Sequence, residues 1–265
     1  MIKKFSIYIF TDLDASLIHR DTFEFGEIKN YIKNLISGGI NIIPNTSKTE
    51  IEINEFNNEL GFNLPYISEN GSSITGLDLI NKNFPNKINL SRDKDDIYKI
   101  FKKVVPENLR AKCKVISKME KKIQSKVFGL TGKKLKDALN RNYSIPFLFN
   151  GNIEQKKKLK QIVKDGGLSL HEGGRVINIC DNVSKVKSMN KVIKMIKKTE
   201  DNIKIISVGD NYNDLDMLKN SDIACLVFND QFTMEPININ NCIVSKNPAP
   251  IGWQEVVKLA LDKIK

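Results

Sequence analysis

The first 70 residues alternate between short apolar runs and amphipathic stretches. Strands are predicted at residues 6–10, 40–44 and 66–68, and helices at 26–37 and 49–60. In the first helix Ile28, Ile32 and Leu35 recur at helical spacing, and Gly38-Gly39 ends the pattern. Alternating strands and helices are typical of a parallel sheet whose strands are buried on both faces.

The rhythm changes between residues 82 and 172. Helical stretches at 93–105, 131–142 and 154–165 alternate there with strand candidates at 145–149 and 168–171. This mixture is typical of an α+β unit rather than of a continued parallel sheet. Because the chain shows no internal repeat or low-complexity linker, we expect this unit to be inserted between two halves of one core.

After Gly173-Gly174 the first rhythm resumes. Strands are predicted at 176–179, 203–208 and 223–228, and helices at 185–198, 214–220 and 253–264. The predicted fold class is α/β, a doubly wound and mostly parallel sheet with an inserted α+β cap. Residues 1–81 and 173–265 form the predicted core, and residues 82–172 form the cap. Ligands of such sheets bind at the carboxyl ends of the strands, so we expect the chemistry there.

Composition limits the class of protein. Of 265 residues 40% are hydrophobic and 28% are charged, values typical of a globular protein. No apolar run approaches the roughly 18 residues of a membrane helix, and the N-terminal run lacks a small-residue cleavage site. We therefore expect a cytoplasmic protein without a membrane partner. The net charge of +11 favours an anionic partner, and by charge alone a small substrate and a nucleic acid both stay open.

Cysteine and histidine usage excludes several chemistries. The four cysteines are scattered without a C-x-x-C pair, which predicts buried thiols rather than a disulfide framework or a zinc site. His19 and His171 are the only histidines, too few for a three-histidine zinc site, and no G-x-S-x-G elbow is present. Neither a P-loop nor a dinucleotide fingerprint occurs. Asp, Asn and Lys remain as candidates for chemistry.

Two aspartates follow the first predicted strand. Asp12 and Asp14 leave the strand end two residues apart. A carboxylate attacks a phosphate dianion poorly because both are negative, and Mg²⁺ removes that obstacle by binding oxygen atoms of both. Asp12 can then attack phosphorus, while Asp14 protonates the leaving alkoxide and later activates water. Taken alone, the segment is equally typical of a turn with two solvated carboxylates.

A second acidic cluster follows the strand predicted at 203–208. Gly209 permits a tight turn, and Asp210, Asn213 and Asp214 offer oxygen-bearing side chains. The spacing of a calcium loop, with its glutamate at the twelfth place, is absent. Two acidic clusters at strand ends fit one shared Mg²⁺ site. Its candidate ligands are Asp12, Asp14, Asp210, Asn213 and Asp214.

A third strand end carries Thr46, Ser47 and Lys48 before a helix N-terminus. A hydroxyl and an ammonium there suit phosphate oxygens, although this segment alone is an ordinary helix N-cap. In chain order, the strand ends resemble the motifs of the haloacid dehalogenase-like phosphatase superfamily. The long insertion looks like the larger cap of its Cof-like branch. The first motif departs from D-x-D-G-T at Ala15 and Ser16, and Ser16 keeps the hydroxyl.

Within that branch the chain is similar to the mannosyl-3-phosphoglycerate phosphatases over nearly its whole length. The similar segments are 46–49, 65–71, 141–147, 173–175 and 252–253. Ile145 stands where this family is usually acidic, and the third motif, D-K-G-K-A, matches only at Lys185 and Lys187, with Val186 in place of its glycine. The resemblance assigns to Lys185 the ammonium that steadies Asp12 and the phosphoryl group, with Lys187 as the alternative.

The implied substrate carries a phosphate and a carboxylate, so its site needs several cations. The candidate cations are Lys48, Arg141, Arg175 and Lys185, and arginine suits a carboxylate because its planar fork donates two parallel hydrogen bonds. Ser47 belongs to the same predicted substrate set. Glu69 and Asn70, on a predicted turn, are candidate ligands of sugar hydroxyls. Trp253 is expected in the core rather than in the site.

The resemblance implies a Mg²⁺-dependent phosphatase that converts mannosyl-3-phosphoglycerate to the compatible solute mannosylglycerate through an aspartyl-phosphate. The implied catalytic residues are Asp12, Asp14, Thr46 and Lys185. Four alternatives stay open: hydrolysis of the glucosyl analogue, hydrolysis of another sugar phosphate as in other Cof-like phosphatases, phosphoryl transfer as in phosphomutases, and a basic nucleic-acid or acidic-surface binder that kept the core. The intact aspartates argue against the last alternative. We therefore expect a small anionic sugar phosphate as partner, no nucleic acid, and a monomer or homodimer.

Overall fold

The computed structural model describes residues 5–230, 239 and 241–264. Its strands are β1 (Ser6–Thr11), β2 (Asn41–Pro44), β3 (Tyr66–Ser68), β4 (Ser73–Thr75), β5 (Lys87–Asn89), β6 (Cys113–Val115), β7 (Ser144–Phe149), β8 (Leu168–Glu172), β9 (Ile177–Asp181), β10 (Ile203–Gly209), β11 (Ile223–Phe228) and β12 (Cys242–Pro248). Its α-helices are α1 (Lys29–Ser37), α2 (Glu50–Leu60), α3 (Lys94–Val104), α4 (Glu107–Arg110), α5 (Lys121–Phe128), α6 (Gly132–Leu139), α7 (Ile153–Asp165), α8 (Lys185–Ile196), α9 (Leu215–Lys219) and α10 (Ile251–Ile264).

Five strands form a parallel sheet in the order β12-β11-β10-β1-β2, which confirms the doubly wound α/β prediction. β1 lies between β10 and β2, and Thr11 pairs with Val208 on one side and with Pro44 on the other. The three strand ends predicted to carry chemistry therefore stand side by side at one edge. The edge strand β12 was not predicted.

Alternate residues of β1 pack into two separate cores, one on each face of the parallel sheet. Ile9 packs on the face covered by α10, where Trp253 is fully buried as expected. Tyr8 and Phe10 pack on the opposite face against Met189 of α8. Both faces of the sheet are thus covered, which explains why its strands are apolar along their whole length.

The predicted strand at 66–68 exists, but it belongs to a smaller antiparallel sheet in the order β3-β4-β5. A single parallel bridge, Asn45 to Ile67, joins this sheet to the end of β2. The predicted turn after β3 is present, with Glu69 at φ 44° and Asn70 at φ 60°, both in the left-handed region.

A third sheet, in the order β6-β7-β9-β8, is antiparallel and carries α3 and α7 on one face. The prediction that residues 176–179 resume the parallel core sheet is therefore wrong, because β9 pairs with β7 and β8. The physical reason is burial on both faces. Ile179 packs against Phe147 beneath the cap helices, while Asn178 faces the cavity between cap and core.

Strand pairing also bears on the boundary of the inserted unit. β5 pairs with β4, and the Leu90 N–H donates to the Ser72 carbonyl over 2.8 Å, so the chain stays with the core beyond residue 82. The two chain segments that join the inserted unit to the core lie side by side, since the Arg92 Nη2 on one is 2.5 Å from Asp181 Oδ1 on the other. We infer that the insertion runs from about residue 92 to about residue 182 rather than from 82 to 172.

The predicted helices are present in the described chain, with ends that move by a few residues. All four cysteines have free thiols; Cys113, Cys180 and Cys225 are buried as predicted, and Cys242 is half-buried. Among the described residues, every helix is too short or too polar to cross a membrane.

Candidate active site

Three carboxylates meet where β1 and β10 end. One oxygen each of Asp12, Asp210 and Asp214 lies within 4.8 Å of the others. All three side chains are buried: Asp12 is 8% exposed, Asp210 4% and Asp214 0%. The structure thus brings together the two acidic clusters that lie far apart in the sequence.

The turn after β10 orients this cluster through its backbone. Asp214 Oδ2 accepts hydrogen bonds from the N–H groups of Asp210, at 3.2 Å, and Asn211, at 3.3 Å. A side chain at Gly209 would collide with Asp214, so the close approach requires glycine. Asp210 is held further by Ser16, whose Oγ donates to its Oδ1 over 2.8 Å, and by Asn229, whose Nδ2 donates to its Oδ2 over 2.6 Å.

Lys185 places its ammonium among these carboxylates. Its Nζ lies 2.9 Å from Asp12 Oδ1 and 2.7 Å from Asp214 Oδ1. Burial alone would lower the pKa of Lys185, but the two carboxylates raise it well above its usual value. The alternative, Lys187, is exposed and donates to Asn182 instead. The geometry therefore favours Lys185 over Lys187 as the ammonium of the site.

The negative charge of the cluster is only partly compensated. Three carboxylates face one ammonium, and burial together with the neighbouring carboxylates raises the pKa of Asp210 to about 8. Burial also raises the pKa of Asp214, to about 6, although Lys185 opposes the shift. Asn213 Oδ1 is buried beside the cluster without a hydrogen-bond partner among the described residues. Buried oxygen ligands without enough positive charge beside them fit a hard divalent cation such as Mg²⁺.

Asp14 stands apart from this cluster. Its Oδ1 lies 2.9 Å from Lys48 Nζ, which also approaches Glu52 Oε1 at 3.4 Å and the ring of Phe23 at 4.7 Å. The structure therefore does not bring the Asp14 carboxylate to the predicted metal ligands. Instead it lies beside the Lys48 ammonium in a cavity wall, and burial raises the pKa of Asp14 although Lys48 opposes the shift.

The third strand end reaches the same edge. Thr46 is fully buried, and its Oγ1 accepts a hydrogen bond of 3.3 Å from the Lys48 N–H. The preceding Asn45 donates from Nδ2 to the Lys185 carbonyl over 3.0 Å, which ties this loop to the start of α8. Thr46 and Lys48 thus share one loop, and Asn45 fixes that loop to the helix on which Lys185 lies.

A cavity of about 110 Å³ lies between the aspartates and the cap. The predicted site residues in its wall are Asp12, Asp14, Ser47, Lys48, Arg141, Arg175, Asp210 and Asn213. The cap contributes Arg141 and Arg175 to this set. A small cavity with carboxylates on one side and guanidinium groups on the other suits an anionic substrate.

The two cap arginines are held by backbone carbonyls. Arg141 is 5% exposed and donates from Nη1 to the Ser47 carbonyl over 2.9 Å and from Nε to the Ala138 carbonyl over 3.1 Å. Arg175 donates to the Phe128 carbonyl over 2.5 Å and to the Arg20 carbonyl over 2.9 Å. Both guanidinium groups therefore enter the cavity wall in fixed orientations.

The other predicted sugar ligands, Glu69 and Asn70, are not in the cavity wall. Glu69 is 0% exposed, and its carboxylate accepts from Asn142 N at 2.9 Å, Tyr143 N at 3.1 Å and Ser144 Oγ at 2.5 Å. Asn70 is 1% exposed. Glu69 therefore joins the core to the cap loop, because carboxylates satisfy backbone N–H groups as well as sugar hydroxyls.

Sequence reasoning missed several polar residues of the site. Ser16 and Asn229 hold Asp210, and Arg20 and Asn178 line the cavity. Ser16 was noted only for keeping a hydroxyl, and the others stand outside any motif. Because side chains alternate along a strand, the sequence of β9 could have shown that Asn178 lies on the other face of the sheet from Ile177 and Ile179.

The comparisons with known proteins identify the family of the chain. The family model for haloacid dehalogenase-like hydrolases matches residues 9–247, and the chain belongs to that family. A glucosyl-3-phosphoglycerate/mannosyl-3-phosphoglycerate phosphatase of Persephonella marina is 26% identical over 97% of this chain and 98% of its own. A mannosyl-3-phosphoglycerate phosphatase of Pyrococcus horikoshii is 29% identical over 83% of this chain and 89% of its own.

Solved structures extend the agreement to the fold. A haloacid dehalogenase-like hydrolase from Bacteroides thetaiotaomicron superposes with a TM-score of 0.66 at 16% identity, covering 99% of this chain and 100% of its own. The family and the phosphatases among its relatives make this protein a phosphoric monoester hydrolase.

Proposed function

We propose that this protein is a Mg²⁺-dependent phosphatase that hydrolyses mannosyl-3-phosphoglycerate to mannosylglycerate and phosphate. The observation that carries the proposal is the buried cluster of Asp12, Asp210 and Asp214 around Lys185, facing a cavity lined by arginines. The names of the relatives from Persephonella marina and Pyrococcus horikoshii support this substrate. We place the reaction in the cytoplasm, as part of mannosylglycerate biosynthesis.

In the first half-reaction, a carboxylate oxygen of Asp12 attacks phosphorus and the bond from phosphorus to the glycerate oxygen breaks. Asp14 gives its proton to that oxygen, so mannosylglycerate leaves as an alcohol and Asp12 carries the phosphoryl group. In the second half-reaction, Asp14 takes a proton from water, which attacks phosphorus and releases phosphate. Asp12 and Asp14 thus return to their starting states.

The metal would be held by Asp12, Asp210 and Asp214, with Asn213 as a further oxygen donor. When bound, Mg²⁺ neutralises charge on the carboxylates and the phosphate and so permits their approach. Lys185 holds Asp12 in position and offers its ammonium to the phosphoryl oxygens. Thr46, at the adjacent strand end, is the proposed hydroxyl donor to the same group.

The anionic remainder of the substrate faces cations. Lys48 lies next to Asp14, and the cap arginines Arg141 and Arg175 line the same cavity with Ser47. A carboxylate bound by a guanidinium would fix the glycerate part relative to Asp12. The name of the Persephonella marina relative also favours a second candidate substrate, the glucosyl analogue, which differs from the first by one hydroxyl epimer.

Phosphate release in the presence of Mg²⁺ tests this function. The substrates are mannosyl- and glucosyl-3-phosphoglycerate, with 3-phosphoglycerate and mannose 6-phosphate as controls and Asp12→Asn as the blank. We expect a strong preference for a glycosyl-phosphoglycerate and no turnover by the folded Asp12→Asn variant. Equal, feeble rates on all four compounds would refute the proposed substrate, and turnover by Asp12→Asn would refute the nucleophile.

A further inference from the structure

The carboxamide oxygen of Asn178, in the cap wall of the cavity, has no hydrogen-bond partner among the described residues. Asn178 lies within β9, is 3% exposed and lines the cavity between cap and core. Its Oδ1 is buried and accepts no hydrogen bond from any described residue. Buried amides are normally paired because an unpaired one lowers the stability of the fold. Asn178 is therefore placed for a donor that comes from outside the described chain.

The neighbouring strands explain why the amide is unpaired. Asn178 stands opposite Pro146 of β7 and His171 of β8. Proline offers no donor, and the Nε2 of His171 lies 2.9 Å both from Ser169 Oγ and from the Val183 carbonyl. Of the two cross-strand neighbours of Asn178, one thus lacks a donor and the other already has hydrogen-bond partners. The amide is left facing the cavity.

The surroundings of Asn178 suit a neutral, partly apolar group. Val176, two residues earlier, lines the same cavity and packs in one cluster with Phe128 and Leu130. Arg141 and other cations elsewhere in the wall can bind the charged groups of an anionic substrate. A sugar ring combines apolar C–H faces with hydroxyls, and an apolar wall with one amide is complementary to both.

We propose that Asn178 binds a hydroxyl of the substrate's sugar and so selects glycosylated over unglycosylated phosphoglycerate. The hydroxyl donates to Oδ1, and Nδ2 donates to a second oxygen of the sugar. This role rests on the proposed function, because it requires that the physiological substrate carries a sugar. It adds a recognition residue on the cap to the cations that hold the anionic groups.

The test compares two variants with a matched control. Asn178→Leu keeps the approximate volume and removes the amide, and Asn178→Ala serves if the leucine variant does not fold. Cys180→Ala is the control, since Cys180 is buried on the same strand two residues further on and is not among the residues that line the cavity. Steady-state kinetics use both glycosyl-3-phosphoglycerates, with 3-phosphoglycerate and p-nitrophenyl phosphate as substrates without a sugar. Thermal unfolding verifies that each variant is folded.

We expect kcat/KM for the glycosyl substrates to fall at least about tenfold in the Asn178 variants, mainly through KM, because both hydrogen bonds of the amide are lost. Rates on the sugar-free substrates, and all rates of Cys180→Ala, stay at the wild-type level. An equal loss on sugar-free substrates, an unchanged KM, or the same loss in Cys180→Ala would overturn the role of Asn178. The wild-type rates decide the proposed function separately: a wild type that hydrolyses only sugar-free substrates refutes that function and, with it, this role.

Discussion

Ala15 occupies a backbone conformation that favours glycine, so its replacement by glycine should stabilise the protein. Its φ is 61°, and its N–H donates to the Ile18 carbonyl over 3.0 Å in the turn that carries Asp14. The left-handed region costs a residue with a side chain about 1–2 kcal/mol. Glycine loses about 0.5–1 kcal/mol more than alanine in backbone entropy on folding. The expected net gain for Ala15→Gly is about 0.5–1 kcal/mol.

The assay is equilibrium unfolding by urea and by heat, with Ala111→Gly as the control. Ala111 is exposed and has φ −60° at the end of α4, where glycine brings only its entropic cost. Ala15→Gly should raise the melting temperature by about 1–3 °C, while Ala111→Gly should lower it by a similar amount. If both variants lose stability, the turn does not strain Ala15 and the reasoning from its φ is wrong.

Three further predictions concern the site and its connection to the cap. Lys185→Met should reduce phosphate release by at least about a hundredfold and Lys187→Met should leave it unchanged, because only the Lys185 Nζ contacts Asp12; equal losses would contradict this. In EDTA, the melting temperature should fall as pH rises from about 4 to 8. Burial and neighbouring carboxylates raise the pKa of Asp210 to about 8. In that pH range the folded state therefore keeps a proton that the unfolded chain has released, and raising the pH removes this stabilisation. Added Mg²⁺ should reverse that slope, Asp210→Asn should flatten it, and a slope unaffected by Mg²⁺ would refute a metal at this cluster. Glu69→Ala should destabilise the protein by about 3 kcal/mol in urea unfolding, because it leaves the Asn142 and Tyr143 N–H groups unpaired; a raised KM with unchanged stability would restore Glu69 as a sugar ligand.

The position of the aspartate cluster was predictable because it follows from local pattern alone. Polar residues directly after apolar strands collect at one edge of a parallel sheet, whatever the length of chain between them. Asp12 and Asp210 meet for this reason, although most of the chain separates them. Lys185 was harder to predict, since two lysines fit its motif, and only the geometry of α8 distinguishes them.

Other features depend on contacts that no local pattern contains. Val176 to Ile179 is apolar except at Asn178 because both faces of this cap strand are buried, and a strand of the parallel core would have a similar composition. Glu69 follows a strand of the core, but its partners lie more than 70 residues further along the chain. The sequence of this segment predicts a turn and cannot predict which donors the Glu69 carboxylate meets.

The charges of the two sides explain why metal and substrate belong to one site. The core contributes Asp12, Asp210 and Asp214, which exceed the single charge of Lys185, whereas the cap contributes the guanidinium groups of Arg141 and Arg175. In the proposed reaction, a divalent cation would compensate the carboxylates, and the phosphate of the substrate would lie between that cation and the arginines. Arg175 already pairs with Asp21 at 2.9 Å, so the charge that most lacks a counter-charge is that of the buried aspartates, and a bound cation would supply it. We therefore expect closure of the cap over the core to be favoured most when cation and substrate are both bound, which would exclude water from Asp12 in the proposed phosphoryl transfer.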